Sequence, residues 1–415
     1  MALGRRTGSA AETLHSAALA EPAPSPDGTA AHAKPHAARF PRELVELLLA
    51  VLCWGLAHST YFLLPKYLEV ELHANPAEIG LYTSATWFVT VALAGLAGAW
   101  IDRRGRRPFA FAGAVLLAVT CAGFWFVKEL GPLLLLLRVV HGVAFSFFFV
   151  ATQTLAADIS RPENLGRTIG YYGSAFVFTN AAAPAAAEWL AAHAGWPWVF
   201  AATTALSLAS LLLLLPVHER PHPHLVSDAD PPGLVDALRR PGFLRLTSVA
   251  ALTGVAFAAA FTFTQPFALS LGVRRVSDFF VAYSLTAVVV RGPFGSWADR
   301  TGRLRVTRYA LAAYAVASFA TIELESLGLV ASGVLFGVAH GLFYPALNAA
   351  SLEGAGPELR AKLTGLFNAG FNSGFSLGAL GLGLVAKALG YPPVFALAGV
   401  CSLLALGLVP RAPRR

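Results

Sequence analysis

The chain has 415 residues, 56% hydrophobic and 13% charged, with a mean hydropathy of +0.60, where a soluble domain carries about 25% charge. That composition excludes a soluble enzyme, and apolar blocks of membrane-spanning length between short charged stretches exclude a disordered or collagen-like chain. The formal net charge of +8 would suggest nucleic acid in a soluble protein, but here the basic residues flank apolar blocks and point to lipid.

Residues 1–42 are rich in Ala, Pro, Ser and His and have no apolar core of signal-peptide length. They read as a disordered cytoplasmic tail, with a transit peptide as the alternative that Arg5, Arg6 and the Ala/Ser bias would fit and Glu12, Glu21 and Asp27 would not. A crossing of about 30 Å needs about 20 apolar residues, and twelve candidate spans follow, beginning near Leu44, Ile79, Pro108, Pro132, Gly166, Trp196, Leu244, Val276, Leu304, Leu327, Leu363 and Pro393. Ser160 with Glu163 reads as a capping box, and Gly356 with Pro357 as a helix cap and first turn. Cys53, Cys121 and Cys401 all lie inside apolar blocks, so no disulfide framework or cysteine metal site is expected.

Of the 31 Lys and Arg residues, 24 fall on the side of the two termini and five on the other, with Arg138 and Arg291 inside spans. Positive residues stay in the cytoplasm, so both termini are expected there, in the inner (plasma) membrane. The polar, Pro-rich stretch 218–242 divides the chain into two six-helix bundles, 43–217 and 243–410, with residues 411–415 as a short cytoplasmic end. His218, His222 and His224 cluster in that central loop, but nothing beside them completes a metal site. The halves repeat. GAWIDRRGRR at Gly98–Arg107 recurs as GSWADRTGRLR at Gly295–Arg305, His141-Gly142 recurs as His340-Gly341, and Pro65 pairs more weakly with Pro266. Near-equal offsets at matching places imply a duplicated unit with both copies oriented alike.

The pattern G-x-x-x-D-R-x-G-R-[KR] resembles the signature of the major facilitator superfamily, in its twelve-span, drug- or sugar-efflux-like subgroup. Gly98, Asp102, Arg103, Gly105, Arg106 and Arg107 carry it, and Gly295, Asp299, Arg300, Gly302 and Arg303 carry its echo. The resemblance implies an all-α membrane fold of two pseudo-symmetric six-helix bundles, and for this motif a cytoplasmic gate that holds the bundles together when the protein faces outward. The alternative, a topology anchor, explains the Arg residues but not an Asp in register in both halves.

In the fourth span, LLLLRVVHGVAFS at Leu134–Ser146 resembles the family's L-x-x-x-R-x-x-Q-G stretch, with His141 at the usual Gln position. Arg138 is too deep to stand unpaired in lipid; the resemblance implies substrate or proton handling, against a structural Arg bonded to carbonyls or to Glu188. The fifth span, NAAAPAAAEWL at Asn180–Leu190, keeps Pro184 of the antiporter stretch but has alanines for its glycines. Gly370, Gly374 and Gly378 give the eleventh span a small-residue packing face.

His58, Gln153, Asn180, Gln265, Tyr344, Asn348, Asn368 and Asn372 are polar positions inside spans, either cavity-lining or interhelical glue. No Asp or Glu stands at midspan. His58, His141 and His340 are then the deep side chains whose unperturbed pKa of about 6.5 suits a proton gradient, against a reading in which each is a neutral imidazole tied to a neighbouring helix.

The expected function is secondary active transport of a small organic solute by alternating access, most readily proton-coupled efflux by antiport. A proton-coupled importer of a sugar or organic acid is the alternative, and a nontransporting sensor the alternative from another class. No HExxH, GxSxG or GxxxxGK[ST] supports an enzyme or an ATP-driven pump. The expected partners are a small-molecule substrate, protons and the bilayer, with no nucleic acid, no cofactor and no metal, and a monomer is expected.

Overall fold

The computed structural model describes residues 41–160, 164–219, 240 and 242–410. The first 40 residues, most of the central loop with His222 and His224, Glu163 and residues 411–415 lie outside the described residues, as do the side chains of Asp102 and Asp299.

The described chain is helical throughout, in twelve long rods: α1 Arg42–Val70, α2 Pro76–Arg104, α3 Arg106–Phe126, α4 Pro132–Ile159, α5 Leu165–Ala194, α6 Trp196–Leu214, α7 Phe243–Ser270, α8 Ser277–Thr301, α9 Arg303–Thr321, α10 Leu329–Ser351, α11 Pro357–Leu389 and α12 Pro392–Leu408. Seven rods are by themselves long and apolar enough to cross a membrane. The rest are shorter or more polar, since a helix packed among others need not be apolar all round. Helix starts agree with the sequence within about three residues except at α11. Its first turns carry Arg360 and Lys362, which interrupt the apolar run without breaking the helix.

Gly356 does cap α11, with Pro357 in its first turn. Ser160 does not open α5: it is the C-cap of α4, its hydroxyl donating back to the Ala156 carbonyl at 2.7 Å. Among the described residues a capping box opens α2, where the Asn75 side chain accepts from Glu78 N and Glu78 Oε2 accepts from Asn75 N.

The two prolines paired in the sequence break matching helices. Proline lacks an N–H and clashes with the carbonyl four residues back. Before Pro65 the α1 rod tightens to a 3-10 turn at Tyr61–Leu63, and before Pro266 the α7 rod widens to a π turn at Ala259–Phe263. The disturbed carbonyls find another donor: the Gln265 amide donates to Phe62 O at 2.7 Å and to Phe261 O at 3.0 Å.

Helices α2 with α11 and α5 with α8 join the first six rods to the last six. The rods define two faces, one bearing the described ends at Arg42 and Leu408 (the termini face) and its opposite (the far face). The halves meet at the far face. There Gly80 of α2 lies so near Ala379 of α11 that a methyl group would collide with its carbonyl. Towards the termini face, a methyl group on Gly98 of α2 or on Gly166, Gly170 or Gly173 of α5 would meet nothing within 4 Å. Gln265 with Phe62, Lys66 with Arg274, Glu188 with Val276 and Ser277, and the ring pairs Phe62–Phe261, Phe62–Phe280 and Trp87–Phe375 join the halves from the Trp87–Phe375 pair outward to the far face.

Candidate functional site

Residues three apart on a helix are surface neighbours, and α4 presents Arg138 and His141 in that relation. Gly142 lets α2 approach, since a methyl group there would strike the Thr86 carbonyl and Val89. That approach brings Tyr82 O to within 3.1 Å of Arg138 Nε and lets the Thr86 hydroxyl donate to Arg138 O at 2.9 Å. Arg138 Nη1 lies 3.0 Å from His141 Nδ1, and His141 Nε2 lies 2.9 Å from His58 Nδ1 on α1.

This chain of contacts fixes the protons. A guanidinium only donates, so His141 Nδ1 accepts and the His141 proton sits on Nε2. That proton is donated to His58 Nδ1, which leaves the His58 proton on Nε2. The cation at Arg138 therefore meets neutral partners, a carbonyl and an imidazole, and among the described residues no carboxylate reaches it. Arg138, His141 and His58 are 3%, 1% and 5% exposed. They border a cavity of ≈ 30 Å³ whose walls include Thr83, Phe261 and Phe375, room for water but not for an organic solute.

The second half repeats the glycine but not the charge. Gly337 and Gly341 of α10 pack on α8, a methyl group on Gly337 lying 2.6 Å from Tyr283 O. Gly337 thus stands one turn before His340, as Arg138 stands one turn before His141. His340 Nδ1 is 2.5 Å from the Tyr314 hydroxyl, and its ring stacks on Phe257 at 4.7 Å. Arg291 on α8 is the second half's Arg within a span, and its Nε is buried with no hydrogen-bond partner among the described residues.

The two histidine clusters are joined by aromatic rings across the interface. His58 stacks on Phe145 at 4.9 Å, Phe145 meets Trp87 at 5.5 Å, and Trp87 meets Phe375 at 5.3 Å. Phe375 then meets Phe257 at 5.9 Å. This ring ladder crosses from one half to the other through the Trp87–Phe375 pair.

The other polar positions divide. Asn180 accepts from the Ser59 hydroxyl at 3.0 Å, the Tyr344 hydroxyl donates to Asn368, and Gln265 ties the halves together. Asn348 Oδ1 is buried without a partner among the described residues, Gln153 is exposed on α4, and Asn372 is half-buried; none of the three joins the histidine clusters.

Glu188 does not pair with Arg138. It receives the Lys66 ammonium at 2.5 Å and the backbone N–H groups of Val276 and Ser277 at 2.8 Å each, at the N-terminus of α8. Lys66 also donates to Arg274 O. Because Lys66 and Glu188 belong to the first half and residues 274–277 to the second, this is a latch across the far face. A carboxylate at a helix N-terminus is favoured by the unpaired N–H groups and the helix dipole. Sequence reasoning missed it, since the partners lie 88 to 208 residues apart.

At the termini face the repeated motif makes tight turns at Gly105 and Gly302, both at positive φ (89° and 96°). Arg106 reaches Asp158 of α4 at 3.0 Å, and Glu219 accepts from the Arg106 and Arg107 backbone N–H groups. Arg107 donates to Leu215 O and Arg303 to Ala349 O, while Arg103 and Arg300 are exposed. These described contacts each stay within one half. His218 lies 3.9 Å from Glu43, and no metal-holding cluster exists among the described residues.

The Major Facilitator Superfamily model matches residues 47–277 and 267–415. The chain belongs to that superfamily. An uncharacterized MFS-type transporter of Salmonella typhimurium is 23% identical over 363 residues, 84% of this chain and 90% of the relative. Multidrug resistance protein 1 of Bacillus subtilis is 27% identical over 150 residues, 36% of this chain and 38% of its own. Among solved structures, a mutant of the nucleoside transporter NupG superposes with a TM-score of 0.74 at 16% identity, covering 88% of this chain and 98% of that one. The human organic anion transporter MFSD10 gives 0.67 at 18%, covering 89% and 100%. The chain is thus a multi-pass membrane protein built for secondary transport, and it is not an enzyme.

Proposed function

We propose that the protein is a proton-coupled transporter of a small amphipathic organic anion, working by alternating access of its two halves. The observation that carries this is Arg138, a buried cation whose hydrogen-bond partners among the described residues are neutral. A buried charge is costly without a partner of opposite sign, and an anionic group on the solute supplies one. The aromatic ladder beside it offers apolar surface to the rest of the solute. The organic anion transporter among the structural neighbours agrees with this chemistry. Both termini face the cytoplasm on the Lys/Arg asymmetry, in the inner (plasma) membrane. On that orientation the far face is the outer face, and this conformation is closed outside. The Gly98 and Gly295 motifs would close the inner face in the opposite state, and the protein acts as a monomer of two six-helix bundles.

Uptake is the direction this geometry favours. Arg138 lies six residues, about 9 Å at 1.5 Å per residue, from the outer end of α4, behind the ring ladder, where a solute arrives from outside. Export by antiport is the second reading, supported by the multidrug resistance relative. Binding of benzenesulfonate to purified protein, against neutral benzenesulfonamide, tests the anion preference. Wild type should prefer the sulfonate and Arg138→Gln should lose that preference; equal binding of the two probes by wild type would refute it.

A further inference from the structure

The directions of the hydrogen bonds around Arg138 carry a rule for how proton and solute are coupled, resting on the anion reading above. In the structure the one free lone pair of neutral His141 is occupied by the Arg138 Nη1–H at 3.0 Å. A proton added at Nδ1 would point an N–H at an N–H and set an imidazolium against a guanidinium at hydrogen-bond distance. His141 cannot load a proton while Arg138 holds it. His58 cannot load one either, because its Nδ1 already accepts from His141 Nε2, and a proton there would again set two donors face to face.

Other groups around His141 give no relief. On α1 it meets His58 and Tyr61, whose ring is 5.0 Å away. On α2 it has Tyr82 O and the hydroxyls of Thr83 and Thr86. Cys121 of α3 pairs with Ser207 of α6, and α7 contributes Phe261 and Thr262 to the shared cavity. None of these is a carboxylate.

We propose that His141 Nδ1 is the coupling site, and that it opens to a proton only when the anionic group of the solute draws the Arg138 guanidinium away. The proton comes from the solvent on the side then open. His141 becomes an imidazolium that keeps its Nε2–H to His58 and turns its new Nδ1–H to the anion. Arg138 and His141 then hold the anion between them. Release runs in reverse: when the anion leaves, Arg138 returns to Nδ1 and the proton departs. Anion and proton therefore raise each other's affinity, by the same factor in each direction, and they cross together. His58 is a positioning residue that holds the His141 ring by accepting from Nε2.

The test uses full-length protein in nanodiscs with benzenesulfonate, an anion that does not itself titrate in the range used, so any proton taken up belongs to the protein. Calorimetry in buffers of different ionisation enthalpy counts protons. The expected result is about one proton taken up per anion, with affinity falling towards tenfold per pH unit in the range where that uptake is complete. In His141→Gln the uptake should vanish and the affinity become independent of pH. Anion binding without proton uptake in the wild type overturns the coupling site and leaves the anion reading intact. No preference for the sulfonate over benzenesulfonamide overturns the anion reading and the coupling with it. Histidine-selective ¹⁵N NMR of the ligand-free wild type needs no variant: His141 is expected as the Nε2–H tautomer, and an Nδ1–H tautomer overturns the proposal whatever the variants do.

Discussion

Replacing Glu188 by Gln should open the outer face. The carboxylate accepts three donors, Lys66 Nζ at 2.5 Å and the N–H groups of Val276 and Ser277 at 2.8 Å, and the two backbone donors belong to the other half, so those bonds exist only while that face is closed. The amide has one acceptor oxygen and presents N–H groups where an acceptor is required, so at least one α8 N–H is left without its bond. The interaction of a charge with a partly buried helix terminus reaches about 2 kcal/mol, and a lost hydrogen bond adds about 1 kcal/mol. Together these shift the balance between closed and open outer faces by up to about 3 kcal/mol, or about 150-fold. Only this differential matters, since a contact equal in both states would shift nothing. Spin labels on Cys at positions 129 and 325, both exposed in the far-face connections between rods of opposite halves, would report the distance after Cys53, Cys121 and Cys401 are replaced. A longer-distance population should grow in Glu188→Gln and in Lys66→Met. An unchanged distribution in Glu188→Gln would show that the latch does not hold this face.

Three further outcomes follow from the same geometry. Arg138→Lys keeps the charge but loses the planar fork that reaches Tyr82 O and His141 together, so it should fold and bind anions more than tenfold more weakly; wild-type affinity would mean that charge alone suffices. Gly142→Ala should lower stability by about 1–3 kcal/mol through overpacking against the Thr86 carbonyl, while Gly173→Ala, facing open space, should not; equal melting temperatures in lipid would contradict the close approach of α2 and α4. His58→Phe keeps a ring between Trp54 and Phe145, which stack on His58 at 4.9 Å each, but removes the acceptor for His141 Nε2. It should therefore fold and transport with an altered pH profile, and an unaltered profile would remove His58 from the site.

Local signals in the sequence were enough for the helices and their order, because apolar run length and basic flanks act over short range. Pro65 and Pro266 were readable as a pair, and the structure shows both breaking their rods. Arg138 and His141 could be placed on one helical face from their spacing alone. His58 as the partner of His141 could not, since 83 residues separate them and only the packing of α1 on α4 joins them. The sequence symmetry of His141 and His340 suggested equal roles; their surroundings differ, because Gly337 stands where Arg138 would and His340 Nδ1 meets the Tyr314 hydroxyl instead of a guanidinium. Ser160 misled because a hydroxyl near a helix end can bond backward to the preceding turn as readily as forward.

Uptake by sealed proteoliposomes tests the central claim most directly. With purified protein in the membrane and labelled benzenesulfonate outside, an acid exterior and alkaline lumen should drive accumulation above the outside concentration. Collapsing the gradient with a protonophore should abolish that accumulation, and Arg138→Gln should not show it. Accumulation that is indifferent to the pH gradient, or driven by the reversed one, would contradict co-transport of anion and proton through this site.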